Sequence, residues 1–396
     1  MRGLLIFVSI LLIIVGGIIS WYFFDSLSNQ YTYKNPNPIL MSETGQTGDF
    51  IGGVVGTLFT LSGTLLIFLS FREQTKLNQR EAFEAAFFEM MRLHRENVSE
   101  LSYTKYDRNT FSTSENRKVF RLIFQEFIEC YREVAKFYRF TNNLIKPEYE
   151  STLNQIKTRI SDKVDVKEMA MIDIAYSIVF FGIGIEGETV LRFRFFPKYD
   201  NTEIKQLFQY LRLKSKREND TRFSNWLYIK DLPVHTLRTI IAELYNYKRK
   251  KGVGVILSKR QLDFLLEDDY EKYYGGHQFR LGHYFRHLFQ SYKYLHFHKD
   301  LNSKQKYFYG KTLRAQLSTY EQALLFINSI SSLGMKWELN SEHAEKHKGN
   351  EKKYNSNFLK NGLITKYNLI KNLPGEQTFG FKYKFYYPRV KYESEE

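Results

Sequence analysis

The chain has 396 residues and carries 58 Lys and Arg against 43 Asp and Glu, a formal charge of +15. Its single cysteine, Cys130, excludes an internal disulfide and agrees with a reducing compartment. Residues 1–71 hold only two basic and three acidic groups, so the remainder carries the whole surplus, 56 basic groups against 40 acidic, spread along the body instead of packed in one block. Such a surplus suits anionic lipid, nucleic acid or simple solubility.

Two uncharged apolar stretches come first, Gly3 to Phe24 and Phe50 to Phe71. Each reaches the roughly 20 residues a helix needs to cross a bilayer core. The first ends in Trp21-Tyr22, an aromatic pair suited to the headgroup level. Its apolar run exceeds that of a cleaved signal peptide, and no Ala-x-Ala site follows. The second carries Gly52, Gly53, Gly56 and Gly63 among Thr57, Thr60, Ser62 and Thr64. Gly52 and Gly56 form a small-xxx-small pair at which another helix can approach closely. The intervening loop, Asp25 to Asp49, has a net charge of −2, whereas Arg2 precedes the first span and Arg72, Lys76 and Arg80 follow the second. Positive flanks stay inside, so both termini of a multi-pass membrane protein are expected in the cytoplasm.

From Arg72 to Leu101 a charged amphipathic helix is expected to continue out of the second span, with Leu77, Phe87, Met90, Met91 and Leu93 near helical spacing. A polar break follows at Tyr106 to Asn116. Val119 to Phe140, Leu153 to Val164 and Val166 to Phe181 then read as helices, with Cys130 among core residues. Gly182-Ile-Gly184-Ile-Glu-Gly187 has the letters of the dinucleotide fingerprint, but no preceding strand is evident and Thr189 to Phe196 reads as extended, so a glycine-rich turn is expected. Lys205 to Asp268 alternates helical patterns with basic links, Lys214 to Arg217 and Lys248 to Lys251; these are solvated loops, or contacts to lipid or nucleic acid. Asn340 to Asn357 reads as a polar loop; His343 and His347 within it lack further ligands, and no metal is expected. Phe379 to Tyr387 alternates aromatics at period two and reads as a strand.

Five of the nine histidines, His277, His283, His287, His296 and His298, fall between 277 and 298. On a helical wheel Leu281, Phe285, Leu288, Phe289, Tyr292 and Leu295 share one side, while Arg280, His283, Tyr284, His287, Ser291, Tyr294 and His298 share another. Gly275-Gly276 ahead of them suits a turn. Arg280 and His287 have the spacing of the Arg-x4–6-His motif of HEPN-family ribonucleases, which the pair resembles. Imidazole can move a proton near neutral pH and guanidinium can hold phosphate, so Arg280, His283 and His287 are the candidate catalytic residues of a metal-independent ribonuclease. Leu281 departs from that motif, which favours a polar residue after the arginine. A polar helix face satisfied inside the fold or at a partner interface remains the alternative.

Separated blocks resemble the bacterial AbiC-like family of phage abortive infection proteins: Gly48-Asp-Phe-Ile-Gly-Gly53, Phe83 to Asn97, Leu281-Gly-His-Tyr-Phe-Arg-His-Leu288, Leu313-Arg-Ala-Gln-Leu-Ser-Thr-Tyr-Glu321, and Phe358 to Pro374. The resemblance implies membrane-associated phage defence ending in growth arrest or death of the infected cell. It transfers no active site and implies no cofactor. Within its blocks His94, Asn97, Arg286, Arg314, Gln316, Ser318 and Glu321 are polar groups able to share a cleft with Arg280, His283 and His287. The expected architecture is mainly α: a two-helix transmembrane hairpin in 1–71, a juxtamembrane helix in 72–101, and a mostly helical cytoplasmic effector or sensor domain, with a few short strands, in 102–396. Its expected partners are membrane lipid, RNA, a phage-encoded trigger and a second copy of the chain. A membrane effector acting through the hairpin is the alternative to RNA cleavage.

Overall fold

The computed structural model describes residues 2–30, 41–107, 110–139, 141, 143–216, 220–265, 272–339, 362–374 and 380–395. They are mostly helical, with two short strands, and the chain divides into two compact units, Met1–Ala86 and Phe87–Glu396.

In the first unit α1 (Arg2–Gln30) and α2 (Met41–Phe50) are followed by a π-helical turn, Ile51–Val55, and by α3 (Gly56–Ser99), whose residues from Phe87 onward belong to the second unit. Two segments, Arg2–Asp25 and Gly48–Ser99, contain apolar windows long enough to cross a membrane, with mean hydropathy 2.8 and 2.0. Only 11% and 17% of those windows is buried, unlike the core helices of a soluble domain. The helices run antiparallel: Phe23 stacks on Phe50 at 4.9 Å, the Ser62 hydroxyl donates to the Ser9 carbonyl at 2.9 Å, and Arg2 lies 3.7 Å from Glu73. Thr60 and Thr64 donate to carbonyls four residues back at 2.7 and 2.8 Å, which satisfies their hydroxyls without water.

The second unit opens with a hairpin, β1 (Ser102–Asp107) against β2 (Thr110–Glu115), antiparallel with Tyr103 opposite Ser114. The expected polar break at Tyr106 to Asn116 is therefore largely strand. Its alternating Thr, Ser, Tyr and Phe suit a pleated surface although few are apolar. Then come α4 (Lys118–Tyr138), α5 (Pro147–Ile160) and α6 (Val166–Phe181). Helix α6 is buried on every side from Met169 to Val179 and packs against α4. Asp165 caps it by accepting from the Lys167 amide at 2.8 Å.

Helix α7 (Ile185–Phe195) replaces the extended segment expected at Thr189 to Phe196. Local signals favour it: Glu186 and Glu188 in the first turn and Arg192 and Arg194 in the last complement the helix dipole. Glu188 also accepts from Arg192 at 2.8 and 2.6 Å and pairs with Arg212. The helix preceding the glycines excludes the βαβ context of a dinucleotide site. The glycines let backbones cross: Gly182 has φ +81°, and a Cβ there would lie 2.7 Å from the Gly275 carbonyl. Gly276, at φ +90°, faces Phe181 equally closely.

There follow α8 (Asn201–Leu213), α9 (Asp220–Ile229), α10 (Val234–Arg249), α11 (Lys259–Asp263), α12 (Gln278–Phe297), α13 (Ser303–Arg314) and α14 (Thr319–Ile330). Helix α14 packs on α4 and α6, and α12 on α6 and α13. Short turns α15 (Leu363–Tyr367) and α16 (Tyr383–Tyr386) complete the order. The period-two strand expected over Phe379 to Tyr387 is thus a helical turn where described. Tyr383, Tyr386 and Tyr387 are all buried, a helical spacing that alternation conceals. The Asn340 to Asn357 loop, with His343 and His347, and residues 358–361 lie outside the described residues.

Candidate functional site

Helix α12 is held at three levels along its length. At its start the His277 amide donates to the carbonyls of Val179 and Phe180 at 3.0 and 2.9 Å, fixing the helix on the glycine crossing. His277 is buried, with Nε2 3.0 Å from Glu126 Oε2 and Nδ1 3.2 Å from Arg280 Nη1. Arginine can only donate, so Nδ1 accepts and Nε2 carries the hydrogen given to Glu126. Arg280 donates from Nε to the Ser102 carbonyl at 2.8 Å, and the Tyr103 hydroxyl donates to Glu126 at 3.2 Å.

Glu126 begins a ladder of carboxylates on α4. Glu129 accepts from Tyr273 at 2.6 Å and Lys214 at 3.1 Å, and Glu133 accepts from Tyr210 at 2.5 Å. Burial pushes the Glu133 carboxyl above its ordinary range despite the tyrosine bond. Each carboxylate thus receives a phenol, which suits a polar seam inside a fold.

At mid-helix His287 Nε2 lies 2.8 Å from the Met90 carbonyl, to which it donates. His94 is buried 6.3 Å from the His287 ring and 5.2 Å from Tyr284. Neither His94 ring nitrogen has a hydrogen-bond partner among the described residues. Burial, with His287 and Arg117 adding to it, pushes His94 down to about 4 and keeps it neutral. Tyr284 donates to Glu321 at 2.9 Å. Glu321 also accepts from the Ser318 amide at 2.7 Å and lies 3.7 Å from Arg117, whose Nη2 reaches the Gln316 carbonyl at 2.7 Å. Ser318 and Glu321 form the capping box of α14, readable from Ser-x-x-Glu.

At the end of α12, His296 Nδ1 accepts from Lys366 at 3.3 Å and its carbonyl from Lys306 at 2.8 Å. Burial and then these two ammonium groups lower His296 to about 4.

Of the residues singled out from sequence, His94, His287, Ser318 and Glu321 cluster, and the Gln316 carbonyl joins them through Arg117. Arg280 belongs to the His277 group instead. Arg314 turns away to the Tyr367 and Asn368 carbonyls at 2.9 and 3.3 Å, closing the end of α15. His283 and Arg286 are exposed, and Asn97 is half-buried. Tyr284 and Ser291, assigned to the polar stripe, are buried because α12 is covered on more than its aliphatic side. Gly52 has nothing near a built Cβ and Gly56 only its own Ile51 carbonyl at 3.7 Å; the close approach between spans is at Gly16, where a Cβ would lie 3.2 Å from Phe59. His277, Glu126, Tyr103 and Arg117 were not singled out. The signal for Glu126 was an acidic residue amid the apolar pattern of α4. Among the described residues no group of three or more His, Cys, Asp or Glu is placed to hold a metal.

Residues 276–343, which contain α12, α13 and α14, match the family model described as putative phage abortive infection protein. The AbiC-like resemblance is borne out over that segment. No curated protein and no solved structure matches the chain. The matched segment contains His277, Tyr284 and His287 of α12 and the capping box of α14.

Proposed function

We propose that this AbiC-like protein is a membrane-anchored abortive-infection protein, held in the bacterial inner membrane by α1 and the apolar first part of α3 with both termini cytoplasmic. The observation that carries the membrane reading is the exposed apolar surface of these helices, including Leu4, Phe7, Ile18, Ile67 and Phe68. Such surface is stable in lipid and a liability in water. The −2 loop between basic flanks supports the orientation. Two measurements test this: the full chain stays in the membrane pellet through alkaline carbonate, with tags at both termini shielded in intact spheroplasts, and its expression lowers phage plating while infected cells fail to survive. Release by carbonate overturns the anchor; infected cells that survive and grow overturn abortive infection.

The body is read as sensor or effector, with Arg280 and His287 positioning α12. Both side chains are spent on backbone carbonyls, and Arg280 also on His277. The ribonuclease alternative requires them to act on RNA. His287→Ala separates the two: positioning predicts a lowered melting temperature, whereas catalysis predicts an unchanged melt, intact membrane localisation, lost protection, and infected-cell RNA cleaved by wild type alone. A membrane-perturbing role through a second copy is favoured by the open space beside Gly52. Bulky replacement of Gly52 and Gly56 then blocks depolarisation during infection, and an unchanged potential with the wild type excludes it.

A further inference from the structure

Helix α10 ends in Lys248-Arg249 and leads through Lys250-Lys251 into the loop Gly252-Val253-Gly254-Val255-Ile256. Lys259 and Arg260 follow on α11, so residues 248–260 hold six cations and no acid. All six are exposed. Two aliphatic side chains stand out among them, Val253 at 74% and Ile256 at 99% exposure. The base of the loop is built, since the Gly252 amide donates to the Tyr247 carbonyl at 2.9 Å and the Tyr247 ring packs under Gly252. At the other side Leu257 turns inward, Ser258 and Gln261 form a capping box, and the Arg260 guanidinium lies 3.8 Å over the Tyr228 ring. Glu243 and Asp263 nearby accept from Gln261 and Asn225 at 2.6 and 3.1 Å.

We propose that this loop docks on an anionic lipid surface, with its cations at the headgroups and Val253 and Ile256 seated at the acyl boundary. Cations alone suit phosphate of any origin. The aliphatic tip decides for lipid, because a bilayer rewards both features at once, whereas single-stranded RNA rewards cations and aromatic stacking platforms. The inference rests on the membrane reading above for its proximity, since a tethered body meets the bilayer at high effective concentration. Docking would give the second unit a lipid contact of its own, sensitive to headgroup charge.

The test uses the full chain with Ile256→Cys carrying an environment-sensitive fluorophore; the buried Cys130 stays unlabelled, and Glu150→Cys on α5 is the exposed control. The protein is placed in nanodiscs of phosphatidylcholine alone or mixed with phosphatidylglycerol. The expected result is a blue shift at Ile256, quenched by bilayer nitroxides, only with phosphatidylglycerol and not at the control position. Each cation near an anionic surface multiplies docking about fivefold, so reversing Lys248, Arg249, Lys250 and Lys251 to Glu abolishes the shift, and high salt weakens it. A probe that stays aqueous in both discs, or shifts regardless of lipid charge, overturns the proposal. So does a response to added single-stranded RNA but not to lipid. Glu267, Asp268, Asp269 and Glu271 follow in sequence outside the described residues; neutralisation of the loop by them would give the aqueous result. A carbonate-resistant chain with an aqueous probe defeats the loop alone. A carbonate-released chain defeats the anchor, and the labelled protein mixed with phosphatidylglycerol liposomes still reads the loop.

Discussion

His94 is buried with both ring nitrogens unpartnered among the described residues, so its charged form is disfavoured in the folded chain. Its folded value, about 4, lies below the ordinary 6.5, and the unfolded chain therefore binds the extra proton between those limits. The stability it permits is complete above about pH 6.5 and falls as pH drops toward 4. His296 is shifted the same way and adds to the slope. His94→Phe should flatten the fall in melting temperature across that window by about one proton, read by thermal unfolding of the full chain in detergent; an unchanged slope would show that His94 is already solvated. Gly182→Ala forces a Cβ onto the Gly275 carbonyl at φ +81° and should cost more than about 2 kcal/mol, seen as a lower melting temperature. The glycine motif was legible as a turn, but its reason was not: the segment it must avoid lies about ninety residues later in the chain. Ser318 and Glu321 stood out only as polar groups able to share a cleft, although their capping box is a local pattern, Ser-x-x-Glu. The His277 and Glu126 pair was not legible, since 151 residues separate them.

At the scale of elements, α4, α5 and α12 were legible from periodic apolar residues, because an amphipathic helix writes its buried face into sequence, and α6 from an apolar run that is buried on every side. Helix α2 lies in the stretch read as the first loop, and three further elements were taken for something else. The β1–β2 hairpin has few apolar residues to reveal alternation. The aromatic run at α16 buries Tyr383, Tyr386 and Tyr387 at helical spacing, while the letters alternate at period two. Helix α7 looked extended because Val190, Phe193 and Phe195 suggested a strand, yet its charges are placed for a helix. Glu188 is central to that choice, being buried while pairing with both Arg192 and Arg212. Glu188→Gln should cost about 1–2 kcal/mol, since both arginines are partly exposed and keep solvent. Equal melting temperatures for wild type and variant would assign α7 to helix propensity alone.

For the whole molecule, the two membrane-length helices follow from composition, but their register does not. The Ser62 to Ser9 bond and the Phe59 to Gly16 contact define it. Ser9→Cys with Ser62→Cys should form an intrachain disulfide on mild oxidation, detected by mass spectrometry, while Ser9→Cys with Thr60→Cys should not; equal yields would argue against a fixed register. By itself the sequence determined what is written locally: apolar length, charge asymmetry across the first loop, helical periodicity, a capping box, and the two AbiC-like blocks, Leu281–Leu288 and Leu313–Glu321, that lie within the match at 276–343. Tertiary structure alone decided that Arg280 serves Ser102, that His287 serves Met90, and that Arg314 closes α15. The reason is physical. A side chain's hydrogen-bond partner is chosen by which backbones packing brings within about 3 Å, and no local pattern encodes contacts between residues 53, 178 and 197 positions apart.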